Sequence, residues 1–572
     1  MRTYRKLLAV IALSGMCFAA AAPSENEGAV KKSKKHAARM EAKPPCEACE
    51  AIKRLEEKVA AQQAAMAVQQ AEIDALKTAQ QPQPTNDEQA REAAAAAKQA
   101  ADAAAAAAAE ANANANAVKS DVSDLKTTNA TAVLAVQDTQ KRVTDLENPL
   151  AIHYKGVNIT PGGFIDATML WRQRAENADV ASSFNNIPYA NNSFAHMTEF
   201  RGSARHSRLT LLGEGLVGST KLTGYYEMDF LGAAPTANEN QSSSFNIRAR
   251  QLFGEASTHD WTFTGGQTWS LLTTNKRGIA TRGEWIPMTI DSQYTVGFTY
   301  ARLMTARVTR RFNNGKATVA FSVENPASIF TAQPATVVTG GPGTKDLGNG
   351  NTYTTNLAPD LIAKVAFDPS FAHFEIKAMG RFFRDRILAT GNNDVTLGGG
   401  VGAAVIVPVA HKKVNLIAEG FWGRGSGRYG DSLQTDASFH PDGTIAPIKS
   451  IRGVGGIEVH VTPKLDWYLY GGDEYLGRNF YAATGGYGNP NVSNANCFTS
   501  PEAPGAACAA SIRNLVQGTT GLWYDIYKGG YGRLRYGLEY SWTYKNTWAD
   551  AAGLSPTASD SMAFSTFRFM LP

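Results

Sequence analysis

An all-β transmembrane barrel of about sixteen antiparallel strands, preceded by an α-helical coiled coil, is the architecture this sequence predicts. Three observations carry it. Composition changes abruptly, because of the 25 Phe, 20 Tyr and 9 Trp only Tyr4 and Phe18 precede residue 150. The hydropathy period then changes from three-and-four to two near Gly162. Beyond that point short polar links alternate with long ones, the asymmetry between the two faces of an outer-membrane barrel. Charge excludes little: 56 Lys and Arg against 51 Asp and Glu leave a net +5, too small an excess to suggest nucleic acid.

The extreme N-terminus reads as an export signal over 1–21: Arg2, Arg5 and Lys6, an apolar run from Leu7 to Phe18, then small residues. The run is shorter than the roughly 20 residues a spanning helix needs. After it the longest apolar run is 403–410, broken by Pro408, so an exported membrane protein must cross with strands. Residues 22–50 form a basic segment with Lys31, Lys32, Lys34 and Lys35, either a solvated tail or a contact for an acidic polymer such as peptidoglycan. Cys46 and Cys49 make a C-x-x-C whose preferred reading is an interchain staple.

A periplasmic coiled-coil stalk is expected over 51–148. Ile52, Leu55, Val59, Met66, Ile73 and Leu76 share the a and d positions of one heptad register, and Pro82 and Pro84 interrupt it. Beyond an alanine-rich stretch, Val118, Val122, Leu125, Val136, Val143 and Leu146 resume the pattern, with Asn129 at an a position. An isolated, solvated helix is the alternative that propensity alone allows.

The barrel is expected over 151–572. In 221–231, Leu222, Tyr226, Met228 and Phe230 point one way and Thr223, Tyr225, Glu227 and Asp229 the other. Sixteen strands follow at 162–172, 203–215, 219–231, 244–257, 261–270, 302–312, 316–325, 359–368, 371–386, 394–409, 412–425, 450–462, 464–478, 515–527, 530–545 and 558–571. An even count puts both barrel ends on the stalk side, and sixteen strands leave an aqueous lumen rather than a packed core. Trp261, Trp269, Trp422 and Trp467 fall where an interfacial aromatic belt would sit. Long and short links alternate without exception in this reading, and Cys497 and Cys508 are a disulfide candidate in one long outer loop.

Within this frame the run from Ser207 resembles the DcaP-like trimeric outer-membrane porins. Its matching pieces are Ser207-Arg208-Leu209, the strand from Leu222 to Phe230, Ile247-Arg248-Ala249-Arg250-Gln251, Gly266-Gln267-Thr268-Trp269-Ser270 and Val323-Glu324-Asn325-Pro326. The resemblance implies a trimer in outer-membrane lipid that passes small organic anions such as dicarboxylates. The chain departs from the usual outer-membrane ending, closing on Leu571-Pro572 instead of an aromatic residue.

Carried inward, the alternation offers Arg208, Arg248, Arg250, Arg307, Arg381, Arg533 and Arg535 as pore-lining cations and Glu227, Asp229, Glu375, Glu458 and Glu539 as opposing acids. Planar guanidinium suits carboxylate and phosphate, which favours anions. The competing reading is that these groups pair across strands and only support the wall. Lys276, Arg277, Arg282, Glu284 and Asp291 lie on the third outer loop, a candidate constriction, lid or trimer contact.

Other motifs carry less. Gly430-Asp431-Ser432-Leu433 spells a lipase nucleophile block, but it falls in an outer loop without the α/β setting its serine needs. Gly398 to Ala403 partly mimics a dinucleotide fingerprint without the following helix, so glycines permitting a bend or close approach are the better reading. The nine histidines show no metal-ligand spacing. A diffusion channel without catalysis or cofactor is therefore expected, with an envelope tether, in which the barrel is mainly an anchor, as the alternative.

Overall fold

The computed structural model describes residues 47–78, 87–147, 151–232, 246–291, 295–342, 352–481, 483, 485–502 and 507–572. The expected signal, the lysine run, Cys46, Pro82 and Pro84 lie outside them. The helical residues and the barrel are separate compact units.

Helix α1 spans Glu47–Thr78 and α2 spans Asp87–Glu147. Both are rich in Ala, Gln and Lys, the residues that lose least on entering a helix. Thr127, Thr128, Thr131 and Thr139 return their hydroxyls to the carbonyl four residues earlier. Val133, Leu134 and Val136 are exposed along α2. No described helix is long and apolar enough to cross a membrane.

The barrel has sixteen strands. β1 is Val157–Arg172; β2 comes in two pieces, Glu199–Ser203 and Arg208–Val217; β3 is Thr220–Gly232; β4 Asn246–Thr258; β5 Trp261–Trp269; β6 Arg302–Phe312. β7 is Ala317–Glu324, β8 Asp360–Phe367, β9 His373–Ile387, β10 Asn392–Val409, β11 Val414–Arg424 and β12 Lys449–Thr462. β13 is Leu465–Leu476, β14 Ile512–Gly529, β15 Gly532–Thr547 and β16 Thr557–Met570. Each pairs antiparallel with its sequence neighbour, and β1 closes the ring against β16 from Phe164↔Met570 to Arg172↔Met562.

Alternation builds the wall. Along β9 His373, Glu375, Lys377, Met379, Arg381, Phe383 and Asp385 are buried, while the outward Ile376 is 68% exposed. Outward Phe321, Val365, Leu397 and Val401 extend the same apolar surface, and water is a poor neighbour for it. Hydrocarbon satisfies it, and ring closure gives every strand of the wall a neighbour on each side. The glycines of β10 permit close approach as expected: a Cβ at Gly399 (φ +149°) would stand 2.2 Å from the Met379 carbonyl oxygen.

Three expectations need correction. Residues 388–391 join β9 to β10 tightly on the long-loop side, so long and short links do not alternate without exception; β9 and β10 project as a hairpin there instead. Trp269 is not in the aromatic belt, because it is 4% exposed and packs edge-on against Phe298 and Tyr300. The lumen, finally, contains a packed cluster, described below.

Placing a charge on the outward face of a central strand should cost about 2–4 kcal/mol at mid-membrane depth. Ile376→Arg is therefore expected to lower the urea midpoint of the barrel folded in lipid vesicles by that equivalent, with Tm following.

Candidate functional site

The third long loop, 270–301, turns into the barrel. An irregular backbone there needs acceptors for its amides, and leaving them unmet would be costly. Carboxylates on the wall and one short turn supply them. Leu271 N–H donates to Glu324 (2.8 Å), Asn275 N–H to Glu375 (2.8 Å) and Gly278 N–H to Asp368 (3.0 Å). Further along, Ile290 N–H donates to Glu539 (2.5 Å), Gly297 N–H to Glu474 (3.1 Å) and Thr299 N–H to Glu419 (3.2 Å). The ammonium groups of Lys364 and Lys377 satisfy the carbonyls of Thr273 and Leu272 at 2.6 and 2.7 Å.

Around this polar stitching Trp285, Ile290, Val296 and Phe298 of the loop pack with Trp269, Tyr468, Tyr470, Leu515 and Trp523 of the wall. Val180 and Phe184 join them from the first long loop. The expected contrast between an aqueous lumen and a packed core therefore does not hold. Sixteen strands enclose more space than their own side chains fill, and the loops bring apolar residues into it.

All the candidate lining residues on strands turn inward, and most are engaged. Arg250 binds Glu227 at 2.5 Å and Asp229 at 2.9 Å; Arg248 binds Asp229 at 2.6 Å; Arg208 lies 3.6 Å from Glu227. Arg307 donates to the Trp269 carbonyl (2.6 Å), and Arg381 meets Asp436 at 2.8 Å and Asp360 at 3.2 Å. Glu375 sits among Lys364, Lys377 and His373. Glu458 accepts from Trp285 Nε1 (2.9 Å) and the Tyr470 hydroxyl (2.8 Å), and Glu539 accepts from the Tyr468 hydroxyl (2.8 Å). Arg533 binds Asp525 at 2.7 Å, and Arg535 binds Asp466 at 2.6 Å.

On the loop, Arg282 covers the Tyr225 ring and Asp291 lies 3.4 Å from His206. Glu284 is buried, and burial raises its carboxyl to about 7 although Arg307 and Lys364 pull it down. On the inward-turned segment 425–448, burial pushes Asp431 well above the usual carboxylate range, and the charges of Glu474 and Asp291 push it further. The neighbouring Ser432 is buried, its amide donating to Glu474.

Two sizeable cavities lie among the described residues. One of about 500 Å³ opens beside the short turns, lined among others by Lys276, Arg277, His373, Lys412, His460 and Arg535. The other, about 410 Å³, lies among the long loops beside Tyr189, Asn191, Asn192 and Lys545. Cys508 borders it and forms the expected disulfide with Cys497.

Sequence reasoning missed Asp166, Lys364, Lys377, Glu419, Asp466, Glu474, Asp525 and Arg568. The same period of two places Lys364, Lys377, Glu419 and Glu474 inward, so a fuller walk along β8, β9, β11 and β13 finds them. Asp436 is different: it reaches Arg381 from a loop, where no period operates.

No model of a known protein family matches the chain, and no curated protein matches it. Solved structures do. The outer membrane channel DcaP of Acinetobacter baumannii superposes with a TM-score of 0.52 and 15% identity over 73% of this chain and 99% of that one. OmpF of Salmonella typhi gives 0.41 with 10% identity over 73% of this chain and 100% of that one. An anion-selective porin from Comamonas acidovorans gives 0.39 with 13% identity and the same coverages. The barrel has a DcaP-like porin fold.

Removing Arg250 takes one ion pair from each of two buried carboxylates; Arg208 and Arg248 remain beside them, so the cost should fall near the low end of the about 3–5 kcal/mol that breaking a buried pair brings. Arg250→Ala should show it as a lowered urea midpoint. The Glu284 shift has a definite sign: a carboxyl raised in the folded state favours folding while protonated, so its contribution is full below about 4.5 and is lost as pH climbs through about 7. Thermal unfolding between pH 4 and 8 should show this decline in the wild type and a smaller decline in Glu284→Gln.

Proposed function

We propose that the chain is an outer-membrane porin, a diffusion channel for small hydrophilic solutes with a bias to organic anions such as dicarboxylates. The porin fold supports the channel, and the superposed DcaP structure is itself an outer-membrane channel.

One observation carries the bias. Counting charges leaves the interior near balance, but the two signs are not equally presented. In the pair Arg248–Asp229 the arginine side chain is 27% exposed and the carboxylate 1%. Arg533 and Asp525 stand at 27% and 2%, and Arg208 and Glu227 at 23% and 7%. The acids are sunk into the wall and the guanidinium groups stand over them, so a passing ion meets cations first. Near the short turns Lys276, Arg277 and Lys412 have no ion-pair partner among the described residues, while Asp466 and Asp368 at the same cavity are taken by His460, Arg535 and His373. Inward cations of this kind favour anions.

The helices are read as a periplasmic coiled coil preceded by a cleaved signal, with three chains assembling. Exposed Leu125, Val133, Leu134 and Val136 on α2 favour pairing with another helix. A tether to the cell wall is compatible with the channel and would act through the N-terminal residues.

Purified protein in planar bilayers should give stepwise conductance with a reversal potential displaced toward the anion. Arg208→Gln combined with Arg248→Gln should reduce that displacement while conductance persists. No conductance at all would end the channel reading, and a cation-biased wild type would end the anion reading.

A further inference from the structure

On the outer wall, at the long-loop ends of β11 and β12, Arg424 and Lys449 stand directly opposite each other. Both are exposed on the outward face, next to the buried, inward Gly423 and Ser450. Like charges in register across two strands repel. Neither residue makes an ion pair or side-chain hydrogen bond among the described residues. The flanking backbone neighbour on each side is a glycine: Arg424 faces Gly399 of β10, and the Lys449 carbonyl accepts the amide of Gly477 (2.8 Å).

Two residues nearer the short turns, the same faces carry Trp422 opposite Ile451, 51% and 41% exposed, with Val401 and Tyr475 extending the row on β10 and β13. A cation pair thus sits immediately above an apolar shelf. Its height fits the edge of a membrane: Val414 to Arg424 covers the whole of β11, about 33 Å along the strand, and a tilt of about 40° reduces that to about 25 Å, the height of an apolar belt.

We propose that Arg424 and Lys449 bind the phosphate of a phosphorylated lipid of the outer leaflet, with its acyl chains against Trp422, Ile451 and Val401. Charge complementarity selects the head group. A free anion would gain nothing from the shelf below, and an uncharged lipid would leave the two cations opposed. The proposal rests on the outer-membrane reading above and goes beyond it, because the site lies on the wall and outside the lumen.

The test uses the full chain in a zwitterionic detergent, titrated with mixed micelles of bisphosphorylated lipid A and scored by phosphorus co-eluting with protein. Arg424→Gln with Lys449→Gln should weaken binding about 30-fold, as expected for two juxtamembrane cations. Arg424→Lys should retain most of it, and lipid A stripped of phosphate should bind the wild type as weakly as the double variant binds intact lipid. Equal binding by wild type and double variant, equal binding of stripped and intact lipid, or displacement of the lipid by an equimolar amount of inorganic phosphate would each overturn the proposal. Heat-modified gel mobility verifies the folded barrel; should the double variant fail to fold, Lys449→Gln and the stripped-lipid comparison decide. Conductance of the double variant should match the wild type, which separates failure of this site from failure of the channel reading.

Discussion

Everything in this barrel depends on where backbone amides find acceptors. In hydrocarbon there is no water to serve them, so the sixteen strands serve one another and the ring closes from β16 back to β1. The same requirement follows the third loop into the lumen, where it has no neighbouring strand to pair with. Wall carboxylates on β7, β9, β11, β13 and β15 take that part. A carboxylate accepts without needing to donate, and its charge strengthens the bond. The inward acids therefore hold the loop first and shape the field second.

That division of labour separates the two signs of charge. Acids bonded to loop amides or to guanidinium groups are drawn into the wall, whereas the arginine of each of these pairs stays more exposed than its carboxylate. Its planar fork presents five donors, more than one carboxylate can occupy. In these three pairs the accessible member is the base. Under the proposed function, the two readings of the arginines in the sequence, wall support and anion recognition, fall on the same groups.

The strands were legible because a bilayer enforces a period of two without relief: each of the sixteen expected segments overlaps an observed strand, and the faces of β3 fall as the alternation places them. β2 was harder, since Ala204 to Ser207 interrupt it and shift its start to Glu199. The candidate site was half legible. Residues on strands could be placed inward one by one, but their partners could not, because Asp436 and the amides of the third loop arrive from segments with no period. Trp269 misled for a related reason: a tryptophan at a strand end suits a membrane interface and a loop-covered interior equally well, and only the path of Phe298 and Tyr300 decides between them.

Glycine completes the fit of loop to wall. Gly297 adopts φ +89°, and a Cβ there would meet the Gly453 carbonyl oxygen at 2.0 Å; a Cβ on Gly472 would meet the Val296 carbonyl oxygen at 1.7 Å. Along this stretch of β12 and β13 two backbones lie flush, with no side chain between them, which is what allows Gly297 to reach Glu474 and Val296 to reach Gln517. Larger residues at these positions would push the loop toward the middle of the lumen. The depth to which the loop enters is accordingly set by glycines on two wall strands as much as by the loop's own residues.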